Sequence, residues 1–219
     1  MILALQNVLT EAETAAIRKM AEKMPFADGA ATAGRFAREI KANDQAAPSP
    51  ELEGIRGKVA ATLAAHRLFQ SAARPRGFTP LILSRYREGQ TYGVHVDDAL
   101  MGGLRTDISF TLFLCPPESY EGGALIIADG VEERAFKPGA GDMILYPSTS
   151  LHRVEPVSGG TRLALVGWVQ SWIRDPAQRE ILFDLDRSID EIHAKDGKTA
   201  LFDQLAKSRS NLLRMWATG

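Results

Sequence analysis

The chain is 219 residues long, 45% of them hydrophobic, and it carries a formal net charge of −1. This length suits one large domain, or one domain with an appendage, and it can bury a sizeable core. The near-zero charge provides no basic field for nucleic acid or anionic lipid, so neither is an expected partner. A single cysteine, Cys115, excludes an internal disulfide and is consistent with a reducing, cytoplasmic location.

The first residues predict a strand followed by a helix. The opening run, MILALQNVLTEAE, lacks the basic start and the small-residue cleavage site of a signal peptide. Nowhere does the sequence approach the ~18 consecutive apolar residues that a membrane span needs, so we expect a soluble protein. Thr10 and Glu13 fit a capping box that opens a helix over residues 10–24, before Pro25.

Two further segments precede the β-rich part of the chain. Residues 26–48 are rich in glycine and alanine without clean periodicity, which predicts an irregular, partly extended excursion. Ser49 and Pro50 fit the N-cap and first position of a second helix, predicted over residues 49–73. Both predicted helices are amphipathic, so we expect them to cover a sheet.

Residues 78–172 are predicted to form a β-core. Eight short β-rich runs separated by turn residues favour a sandwich, barrel or jelly roll over alternating strands and helices. In the run 161–170, period-2 alternation separates two faces. One face has Leu163, Leu165 and Val169; the other has Arg162, Ala164, Val166, Trp168 and Gln170. We expect helices to cover the aliphatic face and the second face to line a polar cavity.

The C-terminal part predicts a helical hairpin over residues 175–219, following a domain over residues 1–174. Asp175 and Pro176 fit the start of its first helix, and Gly197 fits its end. The apolar stripes of the two helices are Ile181, Leu182, Leu185, Ile189 and Ile192, then Leu201, Leu205, Leu212 and Trp216. We expect this hairpin to pack on the β-core, and a homodimer contact is the alternative use of its surface.

The stretch YREGQTYGVHVDD, residues 86–98, contains a candidate metal site. His95 and Asp97 are two residues apart among β-formers, so on a strand their side chains would share a face. His152, in the run DMILYPSTSLHRV, is the candidate third ligand. Two histidines and one carboxylate leave open positions on an octahedral ion, as in non-haem Fe(II) oxygenases. The His-x-Asp triplet alone is a weak signal, because a lone histidine is more often a hydrogen-bonded structural residue.

Arg162 is a candidate anion receptor. It lies ten positions beyond His152, on the polar face of the next predicted strand. A solvated edge charge is the ordinary role of an arginine on a strand, but its neighbours on this face are small or aromatic. A guanidinium group inside a cavity requires an anion, and it binds a carboxylate best through a bidentate pair.

Together these residues resemble those of a known superfamily. His95-x-Asp97, then His152, then Arg162, on a β-rich core with helices at both ends, resemble the Fe(II)/2-oxoglutarate dioxygenase superfamily. The runs YGVHVDDAL, RTDISFTLFL, YEGGAL, GDMILYPSTSLHRVEPV and TRLALVGWVQSWIRD are similar to those of the bacterial PKHD-type hydroxylases, named after prolyl and lysyl hydroxylase domains. This likeness extends over most of the chain, including the C-terminal LFDLD segment.

The resemblance implies a fold and a set of site residues. The fold is mainly β with flanking helices: a double-stranded β-helix, a cupin-like jelly roll, with N-terminal helices and a C-terminal helical hairpin. The implied iron ligands are His95, Asp97 and His152, and Arg162 would bind the distal carboxylate of 2-oxoglutarate. The resemblance also implies that Tyr86 and Tyr92 line the cosubstrate pocket and that Trp168 stands beside the metal.

The resemblance further implies the reaction, which is hydroxylation of a C–H bond with oxidative decarboxylation of 2-oxoglutarate to succinate and CO2. Fe(2+), 2-oxoglutarate and O2 are the implied cofactors, with ascorbate as a candidate addition. The acceptor stays open among a small molecule, a peptide and a protein. The competing hypothesis is a cupin-type β-barrel binding module with a structural metal and no turnover. Arg162 discriminates between the two, because a structural metal site needs no carboxylate receptor.

Overall fold

Two antiparallel sheets with a cavity between them form the centre of the molecule. This computed structural model describes residues 1–218, so Gly219 of the predicted hairpin lies outside the described residues. The larger sheet has nine strands and the smaller has five. A separate small sheet has two strands.

The strands are β1 (Leu3–Leu5), β2 (Phe26–Asp28), β3 (Lys41–Ala42), β4 (Asp44–Ala46), β5 (Pro75–Phe78), β6 (Ile82–Arg87), β7 (Thr91–His95), β8 (Leu100–Met101), β9 (Leu104–Arg105), β10 (Ile108–Phe113), β11 (Tyr120–Gly122), β12 (Leu125–Asp129), β13 (Glu132–Phe136), β14 (Met143–Pro147), β15 (His152–Val154) and β16 (Val157–Ser171). The helices are α1 (Glu11–Ala21), α2 (Pro50–Ala65), α3 (Arg67–Ala73), α4 (Pro176–Asp196) and α5 (Ala200–Trp216). Each of the eight predicted β-runs overlaps at least one of these strands. The order in the larger sheet is β1-β14-β10-β16-β6-β4-β2, with β5 and β11 also paired to β16; the order in the smaller is β13-β12-β15-β7-β3, and β8 pairs with β9.

The helices before the β-core cover one face of the larger sheet. Side chains from α1, α2 and α3 join the aliphatic face of β16 in one hydrophobic cluster, which confirms the predicted faces of this strand. The cluster includes Ile17, Leu52, Phe69, Leu163 and Leu165. The opposite face of the sheet is therefore left for the cavity.

Local capping confirms two predicted helix starts and corrects one predicted helix. Thr10 and Glu13 form the reciprocal capping box of α1, and the Ser49 hydroxyl accepts a hydrogen bond at the start of α2. The predicted helix over residues 49–73 is wrong as a single element, because it breaks at His66. This residue has an extended backbone, and its Nδ1 accepts a hydrogen bond of 3.2 Å from the Phe69 amide at the start of α3.

The C-terminal hairpin packs through its first helix. α4 buries Arg179, Leu182 and Phe183, whereas no residue of α5, all of which the structure describes, is buried. The predicted stripes are therefore wrong at Ile181, which is 50% exposed, and at Leu201, which is 55% exposed. The reason is that α5 packs mainly on α4 rather than on the β-core. The division of the chain at residue 174 and the homodimer stay predictions.

One carboxylate joins the hairpin to the rest of the molecule. Asp186, on α4, accepts hydrogen bonds from Arg74 (2.7 Å), from the Ser71 hydroxyl (2.5 Å) and from Arg209 on α5 (2.6 Å). The side chain of Arg74 is 7% exposed and that of Asp186 is 14% exposed, so water screens this ion pair little.

Within residues 1–218, no helix combines the length and the hydropathy that crossing a bilayer would require.

We predict that Asp186→Ala lowers the free energy of unfolding by about 3 kcal/mol, because it leaves the buried guanidinium group of Arg74 without a counter-charge. Urea denaturation measures this loss. Asp190→Ala is the matched control on the same helix. Asp190 forms an ion pair with Arg67, and their side chains are 62% and 84% exposed, respectively. The control should lose less than about 1 kcal/mol, and equal losses in the two variants would contradict the anchoring role of Asp186.

Candidate metal centre and cosubstrate cavity

A cavity of about 250 Å³ lies between the two sheets. Strands β6, β10 and β16 of the larger sheet line one side, β7 and β15 of the smaller sheet line the other, and side chains between residues 32 and 45 add to the lining. All seven site residues predicted from the sequence line this cavity: Tyr86, Tyr92, His95, Asp97, His152, Arg162 and Trp168.

Strand pairing brings the three candidate ligands together. His95 is the last residue of β7 and His152 is the first residue of β15, and the two residues pair directly across the ladder. Asp97 lies two residues beyond the end of β7, so the expectation that it sits on the strand is wrong. Its carboxylate still faces the histidines: the three ligand atoms lie within 4.8 Å of one another, and His152 Nε2 is 3.8 Å from Asp97 Oδ2.

Both imidazoles are oriented for metal binding by main-chain carbonyl groups. Nδ1 of His95 lies 2.8 Å from the Gly93 carbonyl oxygen, and Nδ1 of His152 lies 3.0 Å from that of Ser150. Because a carbonyl can only accept, each Nδ1 carries the proton and donates it. Each Nε2 therefore keeps its lone pair for a metal ion.

Burial keeps His95 neutral. Removal from water, together with the neighbouring His152, lowers the pKa of His95 from 6.5 to about 4, although the Gly93 carbonyl and Asp97 oppose this shift. Tyr92 covers one face of the ring, with ring centroids 3.5 Å apart and planes 18° apart. Tyr146 approaches His152 with its ring edge, at a centroid distance of 5.0 Å. Neutral imidazoles are the form that binds a metal ion.

The carboxylate of Asp97 is positioned by two serines that sequence reasoning missed. The Ser109 hydroxyl lies 2.6 Å from Asp97 Oδ2 and 2.8 Å from the hydroxyl of Ser148. Since a hydroxyl has one proton to donate, Ser109 donates to the carboxylate and accepts from Ser148. Such second contacts set the orientation of a metal ligand. Serine is too common on strands for the sequence to single these two residues out.

Arg162 is a buried cation without an anion. Arg162 is 1% exposed, and its Nε has no hydrogen-bond partner among the described residues. Its Cζ lies 5.2 Å from the ring centroid of Tyr86 and 5.1 Å from that of Phe113. Among residues 1–218 no carboxylate lies within ion-pair distance of it. A buried unpaired charge is costly, so an anionic ligand would stabilise this site.

The remaining two predicted residues add polar groups to the same cavity. Tyr86 pairs with Arg162 across β6 and β16, and burial raises the pKa of its hydroxyl to about 12, so the group stays protonated and can donate. Trp168 has its indole Nε1 buried without a partner. Of the five residues predicted for the polar face of β16, Arg162, Val166 and Trp168 line the cavity.

Family models match two adjoining parts of the chain. The model described as the 2OG-Fe(II) oxygenase superfamily matches residues 81–170, which include every candidate ligand. The model described as the PKHD-type hydroxylase C-terminal domain matches residues 176–218, which contain α4 and α5.

Curated relatives match over the full length. A PKHD-type hydroxylase of Maricaulis maris is 45% identical over 217 residues, which cover 99% of both chains. One from a Picosynechococcus species is 48% identical over 218 residues, which cover 99% of this chain and 100% of the relative. The chain belongs to the PKHD-type hydroxylase family. It is therefore an Fe(II)- and 2-oxoglutarate-dependent dioxygenase, as the sequence predicts.

Solved structures of low sequence identity share the fold of this PKHD-type hydroxylase. A Pseudomonas putida prolyl-4-hydroxylase aligns with a TM-score of 0.53 at 21% identity, over 78% of this chain and 92% of the other. A Trichoplax adhaerens prolyl hydroxylase, solved with a hypoxia inducible factor peptide fragment, aligns with a TM-score of 0.61 at 17% identity, over 78% and 83%. These likenesses confirm the predicted double-stranded β-helix.

The residues present fit the cofactors that family membership implies. Two imidazole nitrogens and one carboxylate oxygen, all within 4.8 Å of one another, form a donor set suited to a divalent transition-metal ion with open positions. The unpaired guanidinium of Arg162 in the same cavity suits a carboxylate-bearing cosubstrate.

The lowered pKa of His95 predicts how the metal-free protein responds to acid. In the unfolded chain His95 takes up a proton near pH 6.5, but in the folded chain it does so only near about 4. The free energy of unfolding should therefore fall as the pH drops through this window. His95→Leu removes this proton uptake, so its stability should fall less steeply. Urea denaturation of the metal-free proteins across the window measures both slopes, and equal slopes would contradict the prediction.

Proposed function

We propose that this PKHD-type hydroxylase binds Fe(II) through His95, Asp97 and His152 and 2-oxoglutarate through Arg162. It would hydroxylate a C–H bond of an acceptor while 2-oxoglutarate is oxidatively decarboxylated to succinate and CO2. One observation carries the proposal: two imidazoles and a carboxylate converge within 4.8 Å in the same cavity as a buried, unpaired arginine.

Each side chain has a physical task in this reaction. The two Nε2 atoms and the Asp97 carboxylate bind the ion on one side and leave its other positions facing the cavity. Arg162 neutralises the far carboxylate of 2-oxoglutarate, and this fixes the orientation of the cosubstrate. Fe(II), when bound with 2-oxoglutarate and O2, supplies the oxidising chemistry of the family.

The rest of the cavity orients the cosubstrate and limits the access of water. The Tyr86 hydroxyl and the indole N–H of Trp168 are donors without an anionic partner of their own, and they suit the oxygen atoms of 2-oxoglutarate. Apolar side chains, among them Leu125, Val154 and Val166, line the same space. An apolar lining strengthens the charge interactions within the site and keeps bulk water away from the reacting groups.

Arg162 also separates this proposal from the alternative of a cupin-type binding module. A structural metal site would be satisfied by its ligands and would gain nothing from a buried unpaired guanidinium. The acceptor, a contribution from ascorbate and the absence of nucleic-acid and membrane partners stay predictions from the sequence.

We predict that Asp97→Ala abolishes the visible charge-transfer band that Fe(II) and 2-oxoglutarate form together without oxygen. The variant lacks the only carboxylate of the donor set, so it should also lose Fe(II) affinity in a competition with a chelator. Asp129→Ala is the control, because the side chain of Asp129 is 56% exposed and lies outside both the ligand set and the cavity lining. A normal band and normal Fe(II) affinity in Asp97→Ala would remove the assignment of the three ligands.

We predict that Arg162→Ala keeps Fe(II) affinity but raises the concentration of 2-oxoglutarate needed for half-maximal band formation. The loss of a charge-assisted hydrogen bond to a carboxylate corresponds to a factor of about 10 to 100. Arg153→Ala is the control, since Arg153 lies on β15 beside His152 but forms an outward ion pair with Glu133. An unchanged requirement in Arg162→Ala would exclude this residue as the carboxylate receptor.

A further inference from the structure

The segment 41–46 crosses from one sheet to the other beside the cavity, and we call it the strap. Its first part, β3, pairs with β7 of the smaller sheet, and its second part, β4, pairs with β6 of the larger sheet. Lys41, Asn43 and Gln45 alternate along it, and all three line the cavity. The irregular composition of residues 26–48 gave no reason to expect functional groups here.

Lys41 brings a second unpaired cation to the cavity. Its ammonium group lies 4.9 Å from the ring centroid of Tyr92, the residue stacked on His95, and 3.2 Å from the Thr32 hydroxyl. Burial lowers the pKa of Lys41 to about 8, although the carboxylates of Asp97 and Asp28 raise it. Within the described chain no carboxylate lies close enough to form an ion pair with Lys41.

Binding of Fe(II) would leave the positive charge of Lys41 less compensated by Asp97. Asp97 is the carboxylate with the larger effect on Lys41, and it is also a proposed ligand. Fe(II) has two positive charges against the one negative charge of Asp97. With the chelating carboxylate of 2-oxoglutarate also bound, the charges at the metal would sum to zero, so Asp97 would no longer offset the charge of Lys41 and one further anion would be needed beside it.

Asn43 supplies an independent observation. It is 2% exposed, and among residues 1–218 neither Nδ2 nor Oδ1 makes a well-formed hydrogen bond, although the side chain is close enough to the Tyr86 hydroxyl to lower its pKa. Oδ1 packs against Gly29, where an added Cβ would come within 2.0 Å of it, so the glycine makes room for the amide. Gln45 differs, because its Oε1 accepts a hydrogen bond of 2.9 Å from Thr32. A buried amide without partners is costly, unless a ligand completes its hydrogen bonds.

We propose that the strap forms a second anion subsite, in which Lys41 and Asn43 bind a carboxylate group of the acceptor. This inference rests on the proposed function, because Arg162 and the metal account for the two carboxylates of 2-oxoglutarate. A carboxylate bound by Lys41 and Asn43 would be the third in the cavity, so it must belong to the molecule that is hydroxylated. The acceptor is a small carboxylic acid, such as a free amino acid or hydroxy acid.

The chemistry of the subsite favours a carboxylate over other anions. One ammonium group and one neutral amide balance a single negative charge, whereas a phosphate carries up to two. The cavity measures about 250 Å³ and also has to contain 2-oxoglutarate, so the remaining space favours a small molecule as the acceptor.

The test is a binding experiment on the enzyme loaded with Fe(II) and 2-oxoglutarate in the absence of oxygen. Free L-amino acids and small hydroxy acids are titrated by calorimetry, each beside its uncharged amide. At least one acid should bind about tenfold or more tightly than its amide. Lys41→Met should abolish this preference, and Lys41→Arg should retain part of it. Lys207→Met, which removes an exposed lysine on α5, is the control.

Asn43→Leu provides a second readout that does not depend on turnover. Because the amide makes no hydrogen bond in the ligand-free protein, its removal should leave the urea midpoint unchanged or raise it, while it weakens binding of the preferred acid. A lower midpoint together with unchanged acid binding would show that Asn43 has only a structural role, and would overturn the proposal.

The outcomes separate this inference from the proposed function. If wild-type protein forms the charge-transfer band but binds no acid in preference to its amide, or if Lys41→Met keeps the preference, the second subsite is overturned while the dioxygenase assignment of the residues stands. If wild-type protein forms no band with Fe(II) and 2-oxoglutarate, both proposals fail.

Discussion

The pairing of β7 with β15 is the constraint on which the rest of the site depends. It places His95 directly opposite His152, and the chain then leaves the strand so that Asp97 turns toward both rings. Main-chain carbonyls fix which nitrogen of each ring carries the proton, so the ladder determines the chemical form of the ligands as well as their positions. Tyr92, Ser109 and Ser148 then hold these groups in place.

The charged and polar groups of the cavity indicate a binding site. Among residues 1–218, Arg162 and Lys41 have no ion-pair partner, and the amide of Asn43 and the indole N–H of Trp168 make no well-formed hydrogen bond. Each of these features is unfavourable in the ligand-free protein. Together they leave several polar groups of the cavity unpaired, which is the arrangement expected of a binding cavity.

The helices stabilise this arrangement but lie outside the cavity. α1, α2 and α3 bury the aliphatic face of the larger sheet, so the opposite face can present polar groups. The C-terminal hairpin lies further out, where Asp186 joins α4 to α3 and α5. Its apolar stripes predicted helices correctly, but periodicity alone could not show that α5 would stay partly exposed.

The sequence by itself determined the elements and the chemistry of the main site. Period-2 patterns and turn residues located the eight core strands, and capping residues located helix starts. The His-x-Asp, His and Arg positions identified four of the cavity residues, and the family resemblance added Tyr86, Tyr92 and Trp168. Only the tertiary structure decided the break at His66, the serines behind Asp97, and the strap with Lys41 and Asn43. These features depend on which residues meet across distant strands, and single polar residues show no local pattern that encodes such contacts.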